Sequence, residues 1–245
     1  APTDGELLMA YIRRRRPEAF AELVARHAAM VLGVCRQILR DPHEAEDAFQ
    51  ATFLILVQRA GSITRSASVG AWLHQVAYRT AMRAAKRRQR RQAARLDEIA
   101  CEADLWTSIS RQEEQAALHE ELSLLPESYR AALVLCYLEG KSRREAADEL
   151  ECTDNAVKAR LARGKRLLRM RLTRRGIMLS AALTAAALSA RSVEAAGLPS
   201  LVAITAESAA AVLHGATTLT SNSANLTQQG VNAMKIAAAL RFAAV

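Results

Sequence analysis

Between Leu125 and Arg171 the chain reads LPESYRAALVLCYLEGKSRREAADELECTDNAVKARLARGKRLLRMR, three helical segments with their start and stop signals in place. Pro126 suits a first helical turn, and the apolar run Ala131, Leu133, Val134, Leu135, Tyr137, Leu138 carries that helix to Gly140, which readily takes the left-handed conformation that ends it. Ser142 and Glu145 stand in capping-box spacing, so hydroxyl and carboxylate each satisfy a free backbone N–H at the start of a second helix. A turn follows at Glu151-Cys152, and Thr153, with Asp154 behind it, caps a third helix. In that helix Val157, Leu161 and Leu168 share one side. Asn155, Lys158, Ala159, Ala162, Arg163 and Arg166 share another. An apolar side to dock and a cationic side to present are what a helix needs to enter a major groove, and small Ala159 and Ala162 let its backbone come close while Lys158, Arg160 and Arg163 reach bases or phosphates. The plainer alternative, a solvated Arg-rich face on an ordinary bundle, is disfavoured by the capped, short-turned partner that precedes the helix.

The distribution of charge is as telling. Residues 1–92 hold 16 basic against 8 acidic side chains, 93–125 hold 2 against 8, and 126–175 hold 13 against 7. Two basic modules flanking an acidic joint suit a polyanionic partner, whose phosphates would repel the joint and leave it a mobile tether. The abundance of Ala, Leu, Arg and Glu, with little β-branched alternation, predicts an all-α chain. Cys35, Cys101, Cys136 and Cys152 form no Cys-x-x-Cys or Cys/His cluster, so neither zinc nor a disulfide framework is expected, and reduced, cytoplasmic thiols are. No secretory signal is expected, Arg13 to Arg16 being followed by amphipathic sequence. A Gly-rich phosphate loop, a nucleophile constellation and metal-ligand histidine spacing are all missing, so no enzyme activity, cofactor or small-molecule substrate is expected.

In the N-terminal part, periodicity predicts helices at about 5–13, 17–39, 42–60 and 68–90. The third opens on Asp41-Pro42 with Glu44, Glu46 and Asp47 in its first turns, where the helix dipole favours anions, and Phe49, Phe53, Leu54, Leu56 and Val57 supply its apolar side. On the fourth, Val69, Trp72, Leu73, Val76, Ala77 and Thr80 are expected to face the core. His74, Gln75, Tyr78, Arg79, Met82, Arg83 and Lys86 are expected to face out, continued by Arg87, Arg88, Arg90 and Arg91. A basic stripe with an exposed tyrosine is equipment for tracking a backbone and stacking unpaired bases; a merely solubilising helix end is the alternative.

Taken together, RDPHEAEDAFQATFLILVQRA, SVGAWLHQVAYRTAMRAAKRRQRR and the Leu125-to-Leu168 block resemble, in order, the core-polymerase-binding, minus-10 and minus-35 elements of the sigma-70 family, specifically its small extracytoplasmic-function group. The resemblance covers roughly residues 4–173. It implies an all-α protein of two small helical domains, sigma-2-like over 1–92 and sigma-4-like over 123–175, joined by an acidic linker over 93–122 and followed by an Ala-rich helical or partly disordered extension over 176–245. It implies promoter-specific initiation with core RNA polymerase and promoter DNA as partners, and an anti-sigma factor as a further one. By carry-over, Asp47, Gln50 and Phe53 would contact polymerase; Trp72, Tyr78, Arg79, Arg83, Lys86 and Arg87 would surround the minus-10 element; and Asn155, Lys158, Ala159, Arg160, Ala162, Arg163 and Arg166 would face the minus-35 element. Arg79 stands where the family often has Asn, Ala51 where it has Glu, and Asp154-Asn155-Ala156 where many relatives carry a Ser/Glu/Gly-Thr run, so promoter preference does not transfer. A free-standing helix-turn-helix regulator that binds duplex DNA as a dimer, and an interaction protein anchored by its tail, remain the competing readings.

From Gly176 on, 21 of 70 residues are alanine and charge nearly vanishes, which sets this part outside the two domains. Helices are expected at about 176–190, 199–214 and 231–245. No apolar run reaches the ~18–20 residues of a membrane span, so membrane contact through this tail is not expected. The extension resembles the Ala-rich tails of some sigma factors, of which the few residues after Met234-Lys235-Ile236 suggest a truncated relative. It reads equally as a regulatory cover for a DNA-binding face and as a weakly ordered appendage.

Overall fold

A computed structural model of the chain describes residues 2–14, 16–63, 68–93, 105–179, 198–213 and 227–228, and the secondary structure among them is helical throughout. The central post is α2 (Pro17–Ile38), which begins with proline at its first position and is packed by α1 (Asp4–Arg14), α3 (Pro42–Arg59) and α4 (Val69–Ala93). The predicted start of α3 holds: the Asp41 carboxylate accepts from the backbone N–H of His43 (2.8 Å) and Glu44 (3.4 Å), with Pro42 in the first turn. Tyr11, Phe20, Phe53 and Phe49, in that order, form a chain of aromatic contacts with centroids 4.9, 6.5 and 5.0 Å apart, joining α1, α2 and α3. Each fully buried side chain of this size contributes about 1.5–3 kcal/mol, so this cluster anchors the N-terminal module.

The second half consists of α5 (Leu105–Ser123), α6 (Glu127–Leu133), a π turn over Val134–Leu138, α7 (Arg143–Glu149) and α8 (Asp154–Thr173). The helix after Pro126 therefore ends differently from the expected continuous α-helix: Glu139 N–H reaches the Val134 carbonyl (3.0 Å) in i→i−5 register, and Gly140 then takes φ 70°.

The acidic joint does not behave as a mobile tether over its second part. Residues 105–123 are α5, which packs on α2, α4 and α8 and buries Leu118, His119 and Leu122. The reason is an apolar i, i+4, i+7 series, Leu118, Leu122, Leu125, embedded among the acids: burying it outweighs the repulsion of a few solvated carboxylates.

In the extension, Gly176 (φ 74°) closes α8, most of the helix expected at 176–190 lies outside the described residues, and so does the one at 231–245. The helix expected at 199–214 is α9 (Leu198–Leu213). It packs on α2 and α3, with Thr205 and Ala209 fully covered and Leu198, Leu201 and Val202 against the core, so this helix is part of the N-terminal packing and not a loose appendage.

Candidate nucleic-acid interface

The helix-turn-helix is built as its sequence signals require. Ser142 Oγ accepts from Glu145 N–H (3.2 Å) while the Glu145 carboxylate accepts from Ser142 N–H (2.7 Å), completing the capping box of α7. Glu151 turns the chain with φ 48°, and Thr153 Oγ1 accepts from Ala156 N–H (3.2 Å) to cap α8. Val157, Leu161, Gly164, Leu168 and Leu172 form the buried side of α8. Gly164 is where α8 crosses α6: a Cβ there would lie 2.9 Å from Leu133 Cδ1 and 3.4 Å from Tyr129 Cβ, so only glycine permits this approach.

On the opposite side Asn155, Lys158, Ala159, Ala162, Arg163 and Arg166 are exposed together, as expected. Arg160 differs. It is half-buried, with its guanidinium 3.5 Å from Cys152 Sγ in the turn. Lys158, Arg163 and Arg166 make no ion pair among the described residues, and a row of uncompensated cations around two alanines is a surface that a phosphate backbone can approach closely.

The α4 candidates are placed differently. Trp72 is half-buried against Ile55 and Val76, a packing residue at the edge of the core. Lys86, Arg90 and Arg91 are exposed; Tyr78, Arg79, Arg83 and Arg87 are half-buried, and Arg88 pairs with Glu44 (3.6 Å). Burial and the neighbouring Arg79 hold the Arg83 guanidinium below its ordinary pKa. Burial and the nearby Glu120 push the Tyr78 phenol up, with Glu121 adding and Arg175 opposing, because the end of α5 and the end of α8 meet beside it. There Arg175 bridges Glu120 (2.6 Å) and Glu121 (3.0 Å), and Arg171 joins Glu121 (3.5 Å).

One member of the outward set is misplaced by sequence reasoning: His74 is fully buried. Its Nε2 donates to His119 Nδ1 (3.0 Å), and His119 Nε2 donates to Gln37 Oε1. Because α5 lies on that side of α4, the histidine meets protein where a free helix would have met water. Burial holds His119 down to about 4, and burial with His119 and Arg130 nearby holds His74 well below 6.5, so both rings are neutral.

On α3, Asp47 and Gln50 are half-buried and available at the surface, but Phe53 is not: it is 0% exposed, edge-on to Phe49 and Phe20. The correction has a simple cause. With α2, α4 and α9 all packed against α3, every residue from Ala51 to Leu56 is buried, and the helix has no apolar side left over for a partner.

Comparison with known proteins matches the two halves separately. Sigma-70 region 2 matches residues 23–91, and sigma-70 region 4 matches residues 115–168, starting within α5. The ECF RNA polymerase sigma factor SigM of Mycobacterium tuberculosis is 31% identical over 169 residues, covering 69% of this chain and 84% of that protein. The RNA polymerase sigma-H factor of Pseudomonas aeruginosa is 26% identical over 171 residues, covering 64% and 88%. Among solved structures, the sigma factor RpoE in complex with the anti-sigma factor NepR from Bartonella quintana is similar at a TM-score of 0.29 and 21% identity, over 62% of this chain and 94% of that one. With both halves matched to sigma-70 regions and a relative 31% identical over most of its length, the chain belongs to the sigma-70 family as an RNA polymerase sigma factor of the extracytoplasmic-function group.

Proposed function

We propose that residues 1–92 dock on core RNA polymerase through the exposed parts of α3 around Asp47 and Gln50 and receive the minus-10 element along α4, while α8 reads the minus-35 element in the major groove. The observation that carries this reading is α8: an exposed set of Asn155, Lys158, Ala159, Ala162, Arg163 and Arg166 on a helix whose other side is docked through Val157, Leu161 and Leu168. Lys158, Arg163 and Arg166 supply phosphate or base contacts, and the two alanines supply proximity. On α4, Tyr78, Arg79, Arg83, Lys86 and Arg87 supply stacking and backbone contacts, with Trp72 shaping the helix edge and Arg160 steadying the turn before α8. The C-terminal DNA-reading unit begins with α5 in this proposal, the linker being the residues before Leu105, and 176–245 form the extension.

The protein would act without catalysis or cofactor, in the cytoplasm, as a dissociable subunit. Among the described residues no helix is long and apolar enough to cross a membrane. Reconstitution with core polymerase, selection of promoter DNA from a random pool and run-off transcription test the proposal together. The expected product is an asymmetric two-element promoter used only by the reconstituted holoenzyme; a symmetric footprint made without polymerase would replace this reading with a dimeric regulator.

A further inference from the structure

Of the 20 residues of α8, seven are Lys or Arg and a single one, Asp154, is acidic. Asp154 stands in the first turn, exposed beside Asn155. Its charge partner is not on its own helix. Lys158, one turn on, makes no ion pair among the described residues, whereas Arg143 at the start of α7 brings Nε to 3.6 Å from Asp154 Oδ1, both side chains being half-exposed (51% and 47%). At that distance the contact is an ion pair and not a hydrogen bond, so it steers the carboxylate while leaving its acceptor positions open.

A carboxylate on a cationic reading helix has a narrow use. It repels the phosphates that the neighbouring cations attract, and it offsets that loss only where it meets a donor on a base edge. The major groove offers few such donors. Guanine presents two acceptors, N7 and O6, and thymine presents the O4 acceptor beside a methyl group. Adenine has its N6 amine next to the N7 acceptor, which opposes a second anion. Cytosine alone presents a donor, the N4 amine, with no acceptor of its own. The sign of the charge therefore favours cytosine over the other three bases, whereas Asn155, which both donates and accepts, suits adenine.

We propose that Asp154 is a specificity residue of this chain, selecting cytosine at one base pair of the minus-35 element, and that Arg143 is the positioning residue that aims it. The proposal rests on the reading of α8 as the minus-35 reader. The carboxylate lowers the affinity of α8 for DNA in general and recovers it at that base pair, so it discriminates mainly by penalising the wrong sequences.

Holoenzyme reconstituted from the full chain and core polymerase tests it. Selection from a random pool gives the minus-35 element, and equilibrium binding is then measured on duplex promoters carrying each of the four base pairs at each of its positions. The wild type is expected to favour cytosine at one position by about tenfold or more, within the range for a mismatched base pair. Asp154→Asn keeps the size of the side chain but adds a donor, and is expected to move that one preference from cytosine towards adenine. Asp154→Ala is expected to flatten it and to bind the mismatched promoters more tightly than the wild type does. Arg143→Gln is expected to reduce the preference at that position and at no other. A uniform change of affinity across all base pairs in both Asp154 variants would overturn the proposal, leaving Asp154 as a favourable charge at the start of a helix. An unaltered preference in Arg143→Gln would overturn the positioning role. A sharp minus-35 element that does not depend on Asp154 sinks this proposal alone, whereas a wild-type holoenzyme with no minus-35 preference at all would sink the reading of α8 with it.

Discussion

The two basic helices, α4 and α8, carry similar cargo and are treated oppositely by the fold. On α8, Lys158, Arg163 and Arg166 stand in water, and the apolar side alone is engaged. On α4, Tyr78, Arg79, Arg83 and Arg87 are half-buried, His74 is fully buried under α5, and Arg88 is paired with Glu44. The difference teaches that a cationic stripe is a surface only when its neighbours leave it one. α8 packs only its apolar side, on α5, α6 and α7, whereas α4 sits between the N-terminal core and α5.

The comparison can be broken most violently through the module that holds α4. Phe53→Ala is expected to cost about 3–5 kcal/mol, a large-to-small change at a site with no exposure, and thermal melting reads it directly. Gln50→Ala on the same helix is expected to shift stability by less than about 0.5 kcal/mol and to show its effect in core-polymerase affinity instead.

Acid provides a gentler route to uncovering α4. In the fold His119 is held down to about 4 and His74 well below 6.5. The unfolded chain takes up these protons first, so the stabilisation is lost as pH falls from about 6.5 towards 4, by roughly 3 kcal/mol for a shift of that size on a fully buried ring. Glu149, raised to about 7 by burial and by Asp4, works the other way in this range, because the folded carboxyl is the one that keeps its proton. Replacing His119 by Gln should therefore flatten the acid limb of the melting-temperature profile. The alkaline limb should survive that change: burial would lower His27, but Glu139 and Asp4 hold it up to about 10, so its contribution is complete below 6.5 and fades as pH rises through 10.

On the exposed helix, Arg163→Ala is expected to weaken promoter binding by about 1–3 kcal/mol if it makes a bidentate base contact, without altering the melt. Unchanged affinity would remove α8 from the groove. Tyr78→Ala should cost about 1 kcal/mol in single-stranded DNA binding, at the low end for a stacked base. The smallest effect is expected from Thr153→Ala, about 1 kcal/mol or less of stability from one lost cap, checked by denaturant midpoint.

These contrasts also mark what a sequence displays. The caps at Asp41, Ser142 and Thr153 were legible because each is a bond between residues two or three apart, and the faces of α8 were legible because its apolar positions repeat on a helical period. α5 was hidden by composition: the Leu118, Leu122, Leu125 series is narrow, and the surrounding acids read as linker. His74 and Phe53 were misplaced for a common reason, that a side chain's surroundings depend on helices distant in sequence. The contact between His27 and Glu139 spans 112 positions, and no local pattern announces such a pairing.

Gly164 has a mechanical meaning for α8. Its missing Cβ makes the crossing with α6 a fulcrum, and the capped end of the helix, with α7 packed on it, is the arm of a lever. At about 1.5 Å per residue, Thr153 lies roughly 16 Å from that point. Leu133, which is 1% exposed, has no room to yield to an added methyl group, so the arm would swing instead. A tilt of about 5° at the fulcrum displaces the tip by more than 1 Å, enough to carry a donor outside the roughly 2.7–3.2 Å window of a hydrogen bond. The aim of α8 is thus set eleven residues away from its tip, by a residue buried against α6.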